Sequence, residues 1–315
     1  MFLDRRFVLA SLVAGALLAP LPAALAGTPL RGLIDAGGLS ARLGDRNLVV
    51  VDIRSGETRE KGRALFQAGH VPGAVHADYA HASWRLPREN TSLYLPEPAQ
   101  FEALAGDLGI APETDVVIVH EGTDSSSFGA AARVYWSFKA MGHASVAILD
   151  GGYRGWTDDK ARPVATGDSA PVPAIYEARP DESLRARLGD VLKARETGTV
   201  LVDSRPETFF SGKEKHKAIP VAGHIPGAVN IPHARAFTAD NRLKDKASLA
   251  REFSAASSGA GGAIAYCNTG HWAATDWFVM SEVLNLPGVK LYDGSMLEYS
   301  LEKKGPVEKS PGSGS

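Results

Sequence analysis

The chain holds a single cysteine, Cys267, within the stretch AIAYCNTGHWAATDWFVMSEVL from Ala263 to Leu284. Ala263 to Tyr266 reads as a short buried strand, Cys267 opens a tight polar loop, and Ala273 to Leu284 reads as an amphipathic helix. A thiol at that junction faces the loop N–H groups and the positive end of the helix dipole, a setting that can hold it as thiolate, the reactive form. The cradle for an anion would be Asn268, Thr269, Gly270, His271, Trp272 and Ala273. Gly270 suits a backbone bent into a ring, which needs a positive φ somewhere. A lone cysteine is more often an inert buried hydrophobe. That reading expects it within the strand or on the helix's core face, not opening a glycine-containing turn between them.

Positioning such a loop takes a sheet with flanking helices, and the sequence contains the parts twice. Leu48–Asp52 is an apolar run ending in a carboxylate, as in a parallel strand buried on both faces. It is followed by the turn Gly69-His70-Val71-Pro72-Gly73-Ala74-Val75, a helix over Glu97–Leu108, a strand over Val116–His120, a helix over Ser126–Met141 and a strand over Ala144–Leu149. The second copy has a helix over Leu184–Ala194, the strand Val200–Asp203, the turn Gly223-His224-Ile225-Pro226-Gly227-Ala228-Val229, the cysteine stretch, and Leu291–Gly294 matching Leu149–Gly151. Strands alternating with helices give an α/β fold with a largely parallel sheet, used twice.

Superposing the copies sets Glu121 opposite Cys267, so the first copy lacks the nucleophile. Its loop, Glu121 to Ser125, carries two carboxylates, which are expected to fill the anion position. Features common to both copies serve the fold: Asp52 and Asp203, Arg54 and Arg205, His70 and His224, and the two Pro-Gly turns. His224 is therefore read as a turn residue and not as a catalytic base.

At 315 residues with 44% hydrophobic and 22% charged residues, the chain is long and apolar enough for two cores. A net charge of −2 with no long basic run argues against a nucleic-acid partner. Arg5-Arg6, the apolar run from Phe7 to about Leu21 and the small-x-small site Ala24-Leu25-Ala26 read as an export signal over residues 1–26. The pair is similar to a twin-arginine signal, with Asp4 in place of the usual Ser or Thr; a Sec signal is the alternative. The expected location is the periplasm, with no membrane span in the mature chain. Residues 27–160 form the first domain, 161–180 a Pro-rich linker, 181–303 the cysteine-bearing domain and 304–315 a loose tail. One cysteine excludes an internal disulfide. No Cys/His cluster has metal-ligand spacing, and no cofactor is expected.

The tandem repeat, Asp203-Ser204-Arg205 after a strand, Gly223–Ala228 before another, and a cysteine-led loop at a strand-to-helix junction resemble the two-domain rhodaneses, the thiosulfate and 3-mercaptopyruvate sulfurtransferases. The resemblance covers Leu48 to about Tyr299. It implies two tandem rhodanese-like α/β domains, the first inactive. It also implies a ping-pong sulfur transfer through a Cys267 persulfide, from a small donor such as thiosulfate to cyanide, a thiol or a periplasmic protein. The sequence departs from the family pattern in the loop, where Asn268 and Thr269 replace basic residues or a Gly-Ser/Thr-Gly-Val-Thr run. No arginine follows Asp203-Ser204-Arg205 in the segment Pro206–Phe210. Lys213, Lys215, His216 and Lys217 could supply that charge or form a solvated basic loop. His271 could act as imidazolium toward an anionic donor or face solvent, and Trp272 is expected to wall the pocket. A cysteine phosphatase would need an arginine where Trp272 and Ala273 stand. A partner-dependent sulfur carrier is the rival from another class.

Overall fold

The computed structural model describes residues 28–88 and 93–310. The expected export signal over residues 1–26 lies outside them. The first half forms the parallel sheet β1-β7-β6-β2-β3, with β1 at Leu33–Ile34, β2 at Leu48–Asp52, β3 at Val75–His76, β6 at Asp115–Val119 and β7 at Val146–Leu149. A short antiparallel pair, β4 (Leu86–Pro87) and β5 (Leu93–Tyr94), stands apart from it. The second half repeats the plan in the order β8-β12-β11-β9-β10, with β8 at Arg185–Ala186, β9 at Val200–Asp203, β10 at Val229–Asn230, β11 at Ala263–Tyr266 and β12 at Val289–Tyr292. The central strands are near-continuous Val, Ile, Leu and Ala runs, the composition expected of parallel strands covered on both faces. The edge strands β1 and β8, two residues each, are too short to leave a hydrophobic period in the sequence.

The shared residues hold the strand ends in the same way. Arg54 and Arg205 each bind the aspartate two residues back and reach a carbonyl, Gly69 O at 2.6 Å and Gly223 O at 2.8 Å. His70 stacks on Phe66 and His224 on Phe210, with ring centroids 3.9 and 3.7 Å apart. Each imidazole Nδ1 pairs with the carbonyl of the ring it covers, at 2.9 and 2.8 Å. Both histidines are buried turn residues.

The two halves share one core. The Ser125–Ala140 helix of the first half packs against the Trp272–Phe278 helix of the second, and Phe278 meets Phe128 and Tyr135 edge-on at 5.5 and 5.0 Å. The second helix is buried on all sides from Ala273 to Met280, in contrast to the amphipathic helix expected, because it lies between its own sheet and the first half. It turns into a π-helix over Val279–Val283. An extensive apolar interface of this kind opposes relative domain motion, so side chains of the first half keep fixed positions over the second.

Two segments differ from expectation. Residues 161–180 are bound along the first half: Ala165 bridges His70, Ala174 N donates to Gly106 O, and Tyr176 packs on Phe101. The tail is docked as far as Ser310, with Glu308 bridging His224 through N–H···O bonds of 2.8 and 2.9 Å, as Ala165 does His70. Each half thus closes its histidine turn with the chain that follows it. Among the described residues no helix is long and apolar enough to cross a membrane.

Candidate active site

Strand register fixes which residues correspond. β2 pairs Asp52 with Val119 and β9 pairs Asp203 with Tyr266, so His120, not Glu121, stands opposite Cys267. The next hydrogen bonds agree: His120 O and Glu121 O accept from Tyr153 and Arg154, while Cys267 O and Asn268 O accept from Met296 and Leu297. The sequence superposition was one residue out because Tyr266 and His120 look alike as strand ends.

Cys267 directly follows β11, with 1% of its surface exposed. Its N–H donates to Ser295 Oγ at 3.1 Å, and that hydroxyl donates to Tyr292 O at 2.8 Å. Ser295 has φ +53° where the first half has Gly152 at +60°. A non-glycine residue there is strained, and the strain brings a hydroxyl against the cysteine backbone.

Beyond Cys267 the chain bends through residues 268–271 into the Trp272–Phe278 helix. Among the described residues nothing accepts from the N–H groups of Asn268, Thr269, Gly270, His271, Trp272 or Ala273. Backbone donors left unpaired when enclosed are costly, and a run of them is the kind of surface that accepts an anion. Gly270 takes φ +74°, and a Cβ there would lie 2.5 Å from Arg133 Nη1 and 2.8 Å from Asp293 O. Asn268 is 5% exposed, and its Oδ1 is buried without a partner. Thr269 is partly exposed, and Ala273 is buried.

The rest of the site comes from the first half. Arg133, fully buried, donates to Gly270 O at 3.0 Å and to Leu93 O at 3.2 Å, and lies 3.6 Å from Asp293. Burial pushes its pKa down to about 10, and Asp293 opposes that shift. His271 is held at both nitrogens, 2.8 Å from Tyr79 Oη and 3.0 Å from Ser126 Oγ. Burial, with Arg85 next in effect, lowers its pKa to about 3. His271 is therefore a neutral strut between the halves, neither the imidazolium nor the solvent-facing residue the sequence suggested. Trp272 stacks on His233 at 4.9 Å and donates to Ser126 Oγ at 3.2 Å, walling the site. His233 is likewise neutral, its pKa lowered to about 4 by burial. Lys213, Lys215 and Lys217 are exposed, and Lys215 binds Ile219 O.

Residues 35–159 and 188–302 each match the rhodanese-like domain. The chain belongs to the rhodanese family. A thiosulfate sulfurtransferase of Corynebacterium glutamicum is 32% identical over 287 residues, covering 88% of this chain and 90% of that one. A sulfur carrier protein of Thermus thermophilus is 33% identical over 262 residues, covering 78% and 87%. The crystal structure of a 3-mercaptopyruvate sulfurtransferase of Escherichia coli superposes with a TM-score of 0.70 at 26% identity, over 84% of this chain and 98% of that one.

Sequence reasoning about this rhodanese missed Tyr79, Ser126 and Arg133, which lie 137 to 192 residues from their loop partners and leave no local signal. Ser295 did leave one. It follows Asp293-Gly294 where the first half has glycine after Asp150-Gly151, so the repeat itself marks the change.

Proposed function

We propose that this rhodanese is a sulfurtransferase that carries sulfane sulfur as a persulfide on Cys267. The observation that carries the reading is the run of six N–H groups, Asn268 to Ala273, that follows the only thiol and has no acceptor among the described residues. Hydrogen bonds to a charged acceptor contribute about 1.5–3 kcal/mol each. Several together offset the burial of a thiolate or persulfide anion.

In the first half-reaction the Cys267 thiolate attacks the outer sulfur of thiosulfate. The new S–S bond forms as the old one breaks, and its electron pair leaves with sulfite. In the second, cyanide or a thiolate attacks the outer sulfur of the persulfide and the Cys267 thiolate is released, giving ping-pong kinetics. Thiosulfate as donor is supported by the name of the Corynebacterium relative; 3-mercaptopyruvate is the alternative suggested by the Escherichia coli structure. A carrier role toward a protein acceptor is a second reading. It is favoured by the Thermus relative's name. The export signal read at residues 1–26 supports work in the periplasm.

The test is intact-mass spectrometry after thiosulfate, then 3-mercaptopyruvate, with cyanide added last. A gain of one sulfur atom that maps to Cys267 and is lost to cyanide is expected. No gain from either donor, with Cys267 open to alkylation, would turn the assignment to the carrier.

A further inference from the structure

The loop around the thiol has no cation of its own: Asn268, Thr269 and Gly270 are neutral residues and burial keeps His271 neutral. The nearby guanidinium groups are mostly committed. Arg205 is bound to Asp203 and Gly223 O, and Arg133 to Gly270 O, Leu93 O and Asp293. Arg85, from the first half, is not. Its guanidinium lies 4.1 Å from the Tyr79 ring centroid, and the hydroxyl of that ring holds His271. Its Nε is buried without a hydrogen-bond partner, and among the described residues it forms no ion pair. Tyr79 is within electrostatic reach of Arg85, Arg133 and Cys267 together.

Arg85 is only half-buried, with its Nε covered, and it lies close enough to Arg133 for the two charges to oppose each other. An anion bound at the free edge of the guanidinium offsets that repulsion. The planar fork can bind two oxygens of a sulfonate or carboxylate side by side, which an ammonium cannot.

We propose that Arg85, supplied by the half without the cysteine, binds the anionic end of the sulfur donor and makes the site prefer anionic donors to neutral ones. This rests on the sulfurtransferase reading for the donor's identity, and on the contacts above for the presence of an anion subsite. Arg85 accounts for the charge that neither the loop nor the segment Pro206–Phe210 contains.

The experiment uses the full chain with Arg85→Gln and Arg85→Lys. With thiosulfate and cyanide, Arg85→Gln is expected to raise KM about 10- to 100-fold with kcat nearly unchanged, the pattern of lost uniform binding. Arg85→Lys should fall between. In parallel, Cys267 is alkylated with iodoacetate and with iodoacetamide. The ratio of the two rates should drop about tenfold in Arg85→Gln, as for a lost charge-assisted hydrogen bond. An unchanged iodoacetamide rate shows that the site is folded. An unchanged KM together with an unchanged ratio overturns the proposal. If the wild-type chain takes sulfur from neither thiosulfate nor 3-mercaptopyruvate while the ratio still drops, the sulfurtransferase reading fails and the anion subsite stands.

Discussion

At matching strand ends the two halves finish their loops in opposite ways. In the first, Gly122 N–H is taken by His120 Nδ1 and Ser127 Oγ, both at 3.2 Å, and Asp124 caps the following helix by accepting from Ser127 N at 2.7 Å. The turn satisfies the Gly122 and Ser127 donors from its own side chains. Asp124 acts as a helix cap, and Glu121 accepts no loop N–H, so the expected picture of two carboxylates filling an anion cradle gives way to one of local capping. In the second half the capping position is His271, whose side chain makes no cap and instead turns to Tyr79 and Ser126 across the interface. With the His271 and Trp272 side chains turned to Tyr79 and Ser126, neither caps the loop's donors. A helix whose N-cap side chain is turned away keeps its first N–H groups uncapped, and here the other half of the molecule holds that side chain.

The sharpest way to break this comparison is to move the thiol. Cys267→Ser should lower sulfur transfer by at least about a thousandfold while the thermal midpoint stays within a few degrees. His120→Cys in that background should recover none of it, by mass spectrometry after thiosulfate, because Ser127 still occupies the Gly122 N–H. Recovery would mean that the cradle exists in both halves. Arg133→Met is next. It removes the hold on Gly270 O but leaves Asp293 paired with Arg185 at 2.9 Å, and it should cost about 3 kcal/mol in urea unfolding along with most of the activity. A loss of stability without loss of activity would separate the clamp from the loop.

Acid tests the neutral histidines. The folded-state pKa values of His271 and His233, about 3 and 4, lie below the ordinary 6.5, so the unfolded chain binds the protons first. Stability is then complete above about pH 6.5 and falls as the pH drops toward 4. His271→Gln should flatten that slope in urea midpoints measured across the range. The smallest effect is expected of Tyr79→Phe, which deletes one hydroxyl facing His271 Nδ1 and should cost about 1 kcal/mol with a few-fold loss of activity. An unchanged variant would place the hold on His271 with Ser126 alone.

Much of this was legible in the chain. The duplicated Asp-x-Arg and Gly-His-x-Pro-Gly-Ala patterns gave two parallel sheets, because buried strands and tight turns leave local signatures. The lone cysteine at a strand-to-helix junction marked the site for the same reason. The two-residue edge strands, the one-residue register between His120 and Glu121, and the docked tail at Glu308 were not readable, since each depends on pairing with distant backbone. By itself the sequence determined the fold class, the tandem repeat and the position of the thiol, all of which follow from residue type and local spacing. Only the tertiary structure decided that His271 is a neutral strut, that Arg133 clamps Gly270 and that Arg85 stands over Tyr79 without a counter-ion. The first two are contacts between the halves and the third sets a first-half side chain beside the Tyr79 ring whose hydroxyl reaches the second; burial and charge there are properties of the packed pair that neither segment carries alone.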